Sequence, residues 1–294
     1  DMNIEHSVFD LENRDSYTPS SHAEIKNTLR EQGWILLRHE HYDVHRFSEL
    51  MTALCQKLTY DPARENITQQ SQKVDAGTQA VGLHIENGST PLPPDIIAFF
   101  SEKSASRGSQ TTLCDGHEVW QKLPDTLKQK FAEPMTISRY LPKVMWQKYV
   151  ATALNIADAV QVGQQELAHF IPMIPRQRIR PAHDEGVQYD LSMPMIRHDN
   201  LKAVPAFANT LLGPSYNYEK PRFYFADGSE IQAELLEELA ERCERETSEI
   251  DWQDGDVVLI DNKRFMHGRR EILVPLEDRK LYICMGLGLN LAFL

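Results

Sequence analysis

Hydrophobic positions along this chain fall into short runs separated by polar, turn-rich stretches. Residues 22–32 place Ile25 and Leu29 on one helical stripe, and Gly33 suits the left-handed position that follows a helix. Trp34 opens a run of four apolar residues that is typical of a buried strand. The opening of the chain therefore predicts a helix that passes through a glycine directly into a sheet.

Helical periodicity recurs further along, and short apolar or alternating runs predict strands between the helices. A Ser-x-x-Gln sequence at 229–232 fits a capping box at the start of the last helix. The predicted helices cover 43–58, 117–131, 144–154 and the residues after 229, and the predicted strands cover 81–87, 95–100, 111–114, 135–141, 257–260 and 280–285.

Strands outnumber helices in this prediction, which favours a mainly β fold. The expected architecture is a double-stranded β-helix, or jelly roll, with helices packed on its flanks. We expect a single domain over residues 1–294. Residues 142–221 contain many prolines and no clean period, so they are the least regular part of the prediction.

Charge and cysteine content exclude several classes of protein. The 31 Lys and Arg residues against 43 Asp and Glu residues give a formal net charge of −12, which argues against nucleic acid or an anionic membrane as a partner. Four widely spaced cysteines without a Cys-x-x-Cys motif favour a reducing cytoplasm over a disulfide framework or a zinc site. The first residues lack the features of a secretory signal, and no apolar run is long enough to span a bilayer.

Candidate chemistry begins in the strand predicted at 81–87. Side chains two apart share one face of a strand, so His84 and Glu86 should point the same way while Ile85 packs on the opposite side. Near the other end of the chain, an apolar run leads to His267. Two histidines and one carboxylate form the facial triad of non-haem Fe(II) oxygenases, which leaves three coordination positions open. Taken singly, His84 and Glu86 would more often be a hydrogen-bonded strand pair, and His267 a core or rim histidine.

The His84-x-Glu86 motif, followed far along the chain by a Gly-Asp…Asp-Asn…His-Gly-Arg segment that ends at Arg269, resembles a known family. This family comprises the Fe(II)/2-oxoglutarate-dependent oxygenases of the taurine-dioxygenase and clavaminate-synthase-like type, and the resemblance covers about 33–287. It implies a jelly roll, Fe(II) as the metal, and 2-oxoglutarate and O₂ as cosubstrates. It also implies that His84, Glu86 and His267 are both the metal ligands and the catalytic centre, and that 142–221 forms a lid or substrate-binding insertion.

The same resemblance suggests residues for 2-oxoglutarate. Arg279 lies 279 − 267 = 12 residues after the distal histidine, where the family places an Arg on the far carboxylate of the cosubstrate. A guanidinium fork suits a carboxylate, and Lys280 is the alternative if the register shifts by one. Thr111 matches the Thr of a Gly-Gly-x-Thr stretch that also contacts 2-oxoglutarate, although a plain strand threonine is the other interpretation.

Arg269 matches the Arg of the family's His-x-Arg, and either it or Arg270 could orient the cosubstrate or pair with a nearby carboxylate. Asp261 and Asn262 are expected to brace the turn before the distal histidine. Two further sets of polar residues remain. His183, Arg197 and His198 could face substrate or be rim residues, and His39, His41 and His45 are interpreted as surface histidines.

The resemblance implies hydroxylation or desaturation of a small molecule, because halogenating relatives lack the carboxylate that Glu86 provides. A glutamate in the triad is similar to the branch that acts on amino-acid-derived substrates of secondary metabolism, and residues 84–116 resemble oxygenases of tyrosine-derived isonitriles. Alternative substrates are carrier-protein-bound aminoacyl groups. Two other classes stay open, namely an enzyme that needs no 2-oxoglutarate and a non-catalytic metal-binding jelly-roll protein. Oligomeric state is left open.

Overall fold

A computed structural model describes residues 8–9, 19–38, 41–59, 72–73, 77–198, 204–214 and 219–289. Seven α-helices lie in this part of the chain: α1 (Pro19–Gln32), α2 (Val44–Leu54), α3 (Gly116–Lys122), α4 (Asp125–Ala132), α5 (Lys143–Leu154), α6 (Gln164–Phe170) and α7 (Ala233–Arg245). Seventeen strands accompany them: β1 (Val8–Phe9), β2 (Trp34–Leu37), β3 (Cys55–Thr59), β4 (Gln72–Lys73), β5 (Val81–His84), β6 (Ile96–Lys103), β7 (Thr111–Asp115), β8 (Met135–Leu141), β9 (Gln177–Pro181), β10 (Val187–Met193), β11 (Ile196–His198), β12 (Pro205–Phe207), β13 (Arg222–Tyr224), β14 (Thr247–Ile250), β15 (Val257–Asp261), β16 (Phe265–Arg269) and β17 (Lys280–Leu289).

Two mainly antiparallel sheets form the jelly roll. The larger sheet has the order β1-β2-β15-β6-β17-β3, with β4 also paired to β17. The smaller sheet has the order β14-β7-β16-β5. Chain-distant strands are neighbours in both sheets, so β5 and β16, from opposite ends of the sequence, lie side by side. This pairing brings the two halves of the predicted metal site together.

Alternation along the strands sorts the apolar side chains into three layers. Phe99, Leu113 and Ile283 belong to the cluster between the two sheets. The intervening residues of the larger sheet face α1 and α2 in a second cluster. Ile85 and Met266 face outward from the smaller sheet into a third cluster, which continues into the middle of the chain. Because the central strands are buried on both faces, their sequences are continuous apolar runs.

The middle of the chain forms its own sheet in the order β13-β8-β10-β9, flanked by α5 and α6. The predicted insertion 142–221 lies between β8 and β13, and these flanking strands pair with each other. A close backbone approach joins this region to β5: a side chain at Gly82 would lie 2.1 Å from the carbonyl oxygen of Leu212. The insertion is thus fixed beside the strand that ends at His84, and its role as a lid stays a prediction.

Most predicted elements are confirmed, including α1, the positive φ of 78° at Gly33, β2 and the helix at 143–154. Three of the helix predictions are wrong. The helix expected over 43–58 ends at Leu54, because 55–59 pairs with β17 as β3. The helix expected over 117–131 is broken at Pro124, which lacks an N–H and holds Leu123 extended. The capping box at 229–232 is absent, since Ser229 donates to Asp227 and the helix begins at Ala233.

Other predictions concern cysteines and membrane spans. All four cysteines are buried and free. Among the described residues, no helix is both long enough and apolar enough to cross a bilayer. Residues 59–77 are polar and irregular in sequence, which favours a loop, and most of them lie outside the described residues.

Candidate metal centre and cosubstrate site

The predicted triad comes together where β5 pairs with β16 in the smaller sheet. His84 is the last residue of β5 and pairs directly with His267 at the centre of β16. One oxygen of Glu86, Oε2, lies 3.1 Å from Nε2 of His267 and 3.6 Å from Nε2 of His84. One ligand atom from each residue lies within 4.8 Å of the others. Glu86 and His267 are 5% and 4% exposed, so a carboxylate is buried against two imidazoles.

These donor atoms fit a six-coordinate ion. Cis ligands of an octahedral ion at about 2.1 Å are about 3 Å apart, close to the separations of the Glu86 oxygen from the two imidazole nitrogens. Nδ1–H of His84 donates to the carbonyl oxygen of Gly82 at 2.8 Å, which leaves Nε2 as the nitrogen with a free lone pair. Two imidazole nitrogens and one carboxylate oxygen on one side of the ion match the donor set of an iron triad.

The local backbone differs from the predicted strand. The strand predicted over 81–87 ends at His84; Glu86 begins a turn, and Asn87 has a φ of 52°. Ile85 still points away from the metal side, as predicted, and it is buried in the outer cluster. Its N–H donates to the carbonyl oxygen of Asn209 at 3.0 Å, which replaces the ladder hydrogen bond that a continuing strand would supply. Glu86 is therefore positioned by a turn rather than by strand geometry.

Asn262 holds that turn in place. Its side-chain Oδ1 accepts the N–H of Glu86 at 2.9 Å, and its Nδ2 donates to the carbonyl oxygens of Glu86 at 3.1 Å and of Pro94 at 2.8 Å. The side chain is fully buried. The sequence predicted that Asn262 braces the turn before His267. In the structure its side chain forms hydrogen bonds with the backbone of Glu86. Asp261 braces the turn between β15 and β16, before His267, with Oδ1 accepting the N–H of Lys263 at 2.9 Å.

Asn262→Asp is expected to weaken metal binding by about 10–100-fold, because a carboxylate cannot donate to the two carbonyl oxygens that fix Glu86. The lost donors and the buried charge should also lower the free energy of unfolding by about 1–3 kcal/mol. Mn(II) titration and thermal unfolding measure the two effects. Gln121→Ala, at an exposed amide on α3, is the control. Unchanged metal affinity in Asn262→Asp would contradict this positioning role.

Two arginines lie beyond the triad on the same inner surface. Arg269 is two residues after His267 in β16 and pairs with Thr111 of β7. Arg269 donates through Nη2 to the carbonyl oxygen of Gln79, while its Nε is buried without a hydrogen-bond partner among the described residues. Arg279 immediately precedes β17. Cross-strand neighbours share a face, so Thr111, Arg269 and His267 line one continuous surface.

These arginines form an uncompensated positive site. Burial, together with the nearby charge of Arg269, lowers the pKa of Arg279 to about 10. Burial also lowers the pKa of Arg269. Within the described part of the chain, no carboxylate forms an ion pair with either guanidinium. One buried guanidinium, one partly buried guanidinium and a hydroxyl at one place are suited to an anion. A bidentate carboxylate matches the guanidinium fork.

Trp252 contributes to this surface without any signal in the sequence. Its Nε1–H donates to Oγ1 of Thr111 at 2.9 Å. β14 pairs with β7 so that Ile250 lies opposite Thr111, which brings the residues after β14 against the site. Only this long-range pairing could have identified Trp252.

The structure shows where the alternative residues lie. Arg270 forms ion pairs with Glu244 at 2.7 Å and with Glu249 at 3.4 Å on the surface. Lys280 is exposed and lies 4.0 Å from Glu102, so the register favours Arg279. The remaining histidines are dispersed. His183 stacks on Tyr140, and His41, His45 and His198 are exposed. His39 lies outside the described residues.

Comparison with known proteins gives this geometry its context. The model of the taurine catabolism dioxygenase TauD, TfdA family matches residues 2–285. The chain belongs to this family. A dapdiamide synthesis protein of Enterobacter agglomerans is 22% identical over 272 residues, covering 85% of this chain and 82% of that protein. A clavaminate synthase-like protein of Arabidopsis thaliana is 29% identical over 215 residues, covering 67% of this chain and 63% of that protein.

Solved structures agree with the fold of this dioxygenase. A taurine dioxygenase from Burkholderia xenovorans superposes with a TM-score of 0.61 at 15% identity, covering 95% of this chain and 84% of that one. AAD-2, solved in complex with Mn(II) and N-oxalylglycine, gives a TM-score of 0.60 at 14% identity, covering 96% and 94%. The jelly-roll prediction is confirmed. Family membership also confirms the predicted enzyme class, an Fe(II)- and 2-oxoglutarate-dependent dioxygenase.

Proposed function

We propose that this dioxygenase hydroxylates or desaturates a small amino-acid-derived substrate, with Fe(II) held by His84, Glu86 and His267. The observation that carries the proposal is the convergence of these three ligand atoms within 4.8 Å on the inner surface of the jelly roll. In the proposed arrangement, 2-oxoglutarate binds with its far carboxylate on Arg279, supported by Arg269 and Thr111. Because Glu86 supplies the carboxylate ligand that halogenating relatives lack, hydroxylation or desaturation is favoured over halogenation.

When bound, the iron and cosubstrate supply the oxidising chemistry, in which O₂ and 2-oxoglutarate are consumed and succinate and CO₂ are released. The chain supplies orientation and a dry environment. The hydrogen bond from His84 to the carbonyl of Gly82 fixes its ring, and the ring of Phe99 lies 5.5 Å from that of His267. Phe99, Leu113 and Ile283 belong to the apolar cluster between the sheets, which limits water at the site.

The name of the Enterobacter agglomerans relative refers to dapdiamide synthesis, which supports a role in secondary metabolism. The amino-acid origin of the substrate rests on the glutamate of the triad, and a tyrosine-derived isonitrile is the first compound to test. The four free, buried cysteines support the predicted cytoplasmic location.

Anaerobic titration of the protein with Fe(II) and then 2-oxoglutarate tests the proposal. We expect a visible charge-transfer band that requires both components, followed by substrate-dependent succinate formation when O₂ is admitted. Failure to bind iron would instead favour a non-catalytic jelly-roll protein. Turnover that is unaffected by loss of Arg279 and Thr111 would favour an enzyme that does not use 2-oxoglutarate.

A further inference from the structure

The strands around the triad end at two opposite edges of the jelly roll. β7 begins at Thr111, β16 ends at Arg269 and β17 begins directly after Arg279, which defines the Arg279 edge. β5 ends at His84 and β15 ends at Asp261, which defines the Glu86 edge. The metal triad lies between the two edges. A cosubstrate that extends from the metal toward Arg279 leaves the Glu86 edge as the side from which a second molecule can approach.

Arg197, the middle residue of β11, lies at the Glu86 edge. Its charge interacts with Asp95, immediately before β6, and with Asp261, the last residue of β15. Both carboxylates are engaged elsewhere: Asp95 pairs with Lys263 at 3.1 Å, and Asp261 accepts the N–H of Lys263 at 2.9 Å. Among the described side chains, neither these carboxylates nor any other forms an ion pair with Arg197.

The guanidinium of Arg197 is a partly buried cation with an unsatisfied hydrogen-bond donor. Its Nη1 is inaccessible to solvent and has no hydrogen-bond partner in the described ranges of the chain. Burial lowers the pKa of Arg197, and nearby Arg176 lowers it as well. A buried charge without a hydrogen-bonded counter-ion destabilises the folded state, so binding of an anion here recovers free energy.

A short hydrogen-bonded path connects Arg197 to the metal ligands. The side chain of Asn209 donates to the carbonyl oxygen of Met195, two residues before Arg197, at 3.1 Å. The carbonyl oxygen of Asn209 accepts the N–H of Ile85, the residue between His84 and Glu86, at 3.0 Å. β11 is therefore held against the ligand-bearing segment. A group bound by Arg197 has a defined position relative to the triad.

We infer that Arg197 binds a carboxylate of the substrate at the Glu86 edge, which makes the substrate a free amino-acid-derived acid. A carrier-bound aminoacyl group has no such carboxylate, because that carbon is engaged in the thioester. The inference rests on the proposed function, since it assumes that 2-oxoglutarate occupies the Arg279 edge. Arg197 is thus a specificity-determining residue of the insertion, distinct from the two arginines assigned to the cosubstrate.

The test uses the full chain loaded with Mn(II) and N-oxalylglycine, an unreactive analogue of 2-oxoglutarate. Calorimetry measures the binding of amino acids and their N-formyl derivatives. Each acid is compared with the corresponding primary amide, in which an uncharged carboxamide replaces the carboxylate. We expect the wild type to bind at least one acid about tenfold or more tighter than its amide, since Arg197 makes charge-assisted hydrogen bonds to the carboxylate. Arg197→Met should reduce that acid to the affinity of its amide while leaving the amide unchanged.

Three further variants complete the test. Arg178→Met removes an exposed arginine from the same insertion and should leave the preference unchanged. Arg197→Lys should retain part of the preference, and Arg197→Gln replaces Arg197→Met if the latter does not fold. The inference is overturned if the wild type prefers no acid over its amide, or if Arg197→Met or Arg197→Gln keeps the preference. Wild-type protein that fails to bind Mn(II) or N-oxalylglycine overturns the proposed function as well, so the two failures are distinguishable.

Discussion

His267→Ala is expected to abolish Fe(II) binding and to reduce substrate-dependent succinate formation by more than about 100-fold. Loss of a residue that only supports a metal ligand costs up to about 100-fold, and loss of a ligand itself should cost more. His267 is predicted to supply one of three protein ligands, and its Nε2 also lies 3.1 Å from the Glu86 carboxylate. Alanine leaves that buried carboxylate without this neighbour, and no other described histidine or acidic side chain lies in the cluster. Anaerobic titration with Fe(II) and 2-oxoglutarate should show no charge-transfer band.

His183→Ala is the matched control for this substitution. His183 is exposed, stacks on Tyr140 and is not part of the ligand cluster, so its loss should leave the absorption band and the turnover unchanged. Thermal unfolding of both variants without metal separates loss of the ligand from loss of the fold. A band of wild-type intensity in His267→Ala would show that the iron is held by other residues.

Arg279→Met is expected to weaken binding of 2-oxoglutarate or N-oxalylglycine by about 100-fold or more, because two charge-assisted hydrogen bonds to one carboxylate are lost. The ligand-free protein should unfold at an unchanged or higher temperature. At neutral pH the guanidinium is charged in both the folded and unfolded states, and its lowered folded-state pKa means that folding disfavours this charge. Methionine removes that unfavourable contribution together with the repulsion of Arg269.

Calorimetry with N-oxalylglycine and thermal unfolding measure these opposite effects. Arg279→Lys keeps the charge without the planar fork, so an intermediate affinity is expected. Arg270→Met is the control, since Arg270 pairs with Glu244 and Glu249 on the surface. Equal affinities in wild type and Arg279→Met would place the cosubstrate elsewhere.

The net charge of −12 is misleading about local recognition in this protein. Arg197, Arg269 and Arg279 have no carboxylate partner within the part of the chain that the structure describes, even though acidic residues are in excess. Exposed charges separated by more than about 10 Å are largely screened by salt, whereas buried guanidiniums are screened much less. An acidic protein can therefore bind anionic small molecules while it is still expected to repel polyanions.

Hydrophobic patterns in the sequence predicted the strands of this protein, and residue motifs predicted its metal site. The apolar runs predicted most central strands, since a strand buried on both faces must be apolar throughout. They could not separate α2 from β3, because no helix-breaking residue stands between Leu54 and Cys55. Residues 55–59 form a strand because they pair with β17. The spacing of His84, Glu86 and His267 indicated the metal site, because the residue type determines which metal ligand a side chain can supply.

Tertiary structure alone decided how these residues are held and which charges remain unpaired. Asn262 reaches the backbone of Glu86 across 176 residues of sequence, and Trp252 reaches Thr111 across 141. Arg197, Arg270 and Arg279 are the same residue type in sequence. Arg270 is paired on the surface, whereas Arg197 and Arg279 are partly buried and form no ion pair with an acidic residue among the described residues. Residue type fixes what a side chain can bind, whereas burial and long-range pairing fix whether a partner is already present.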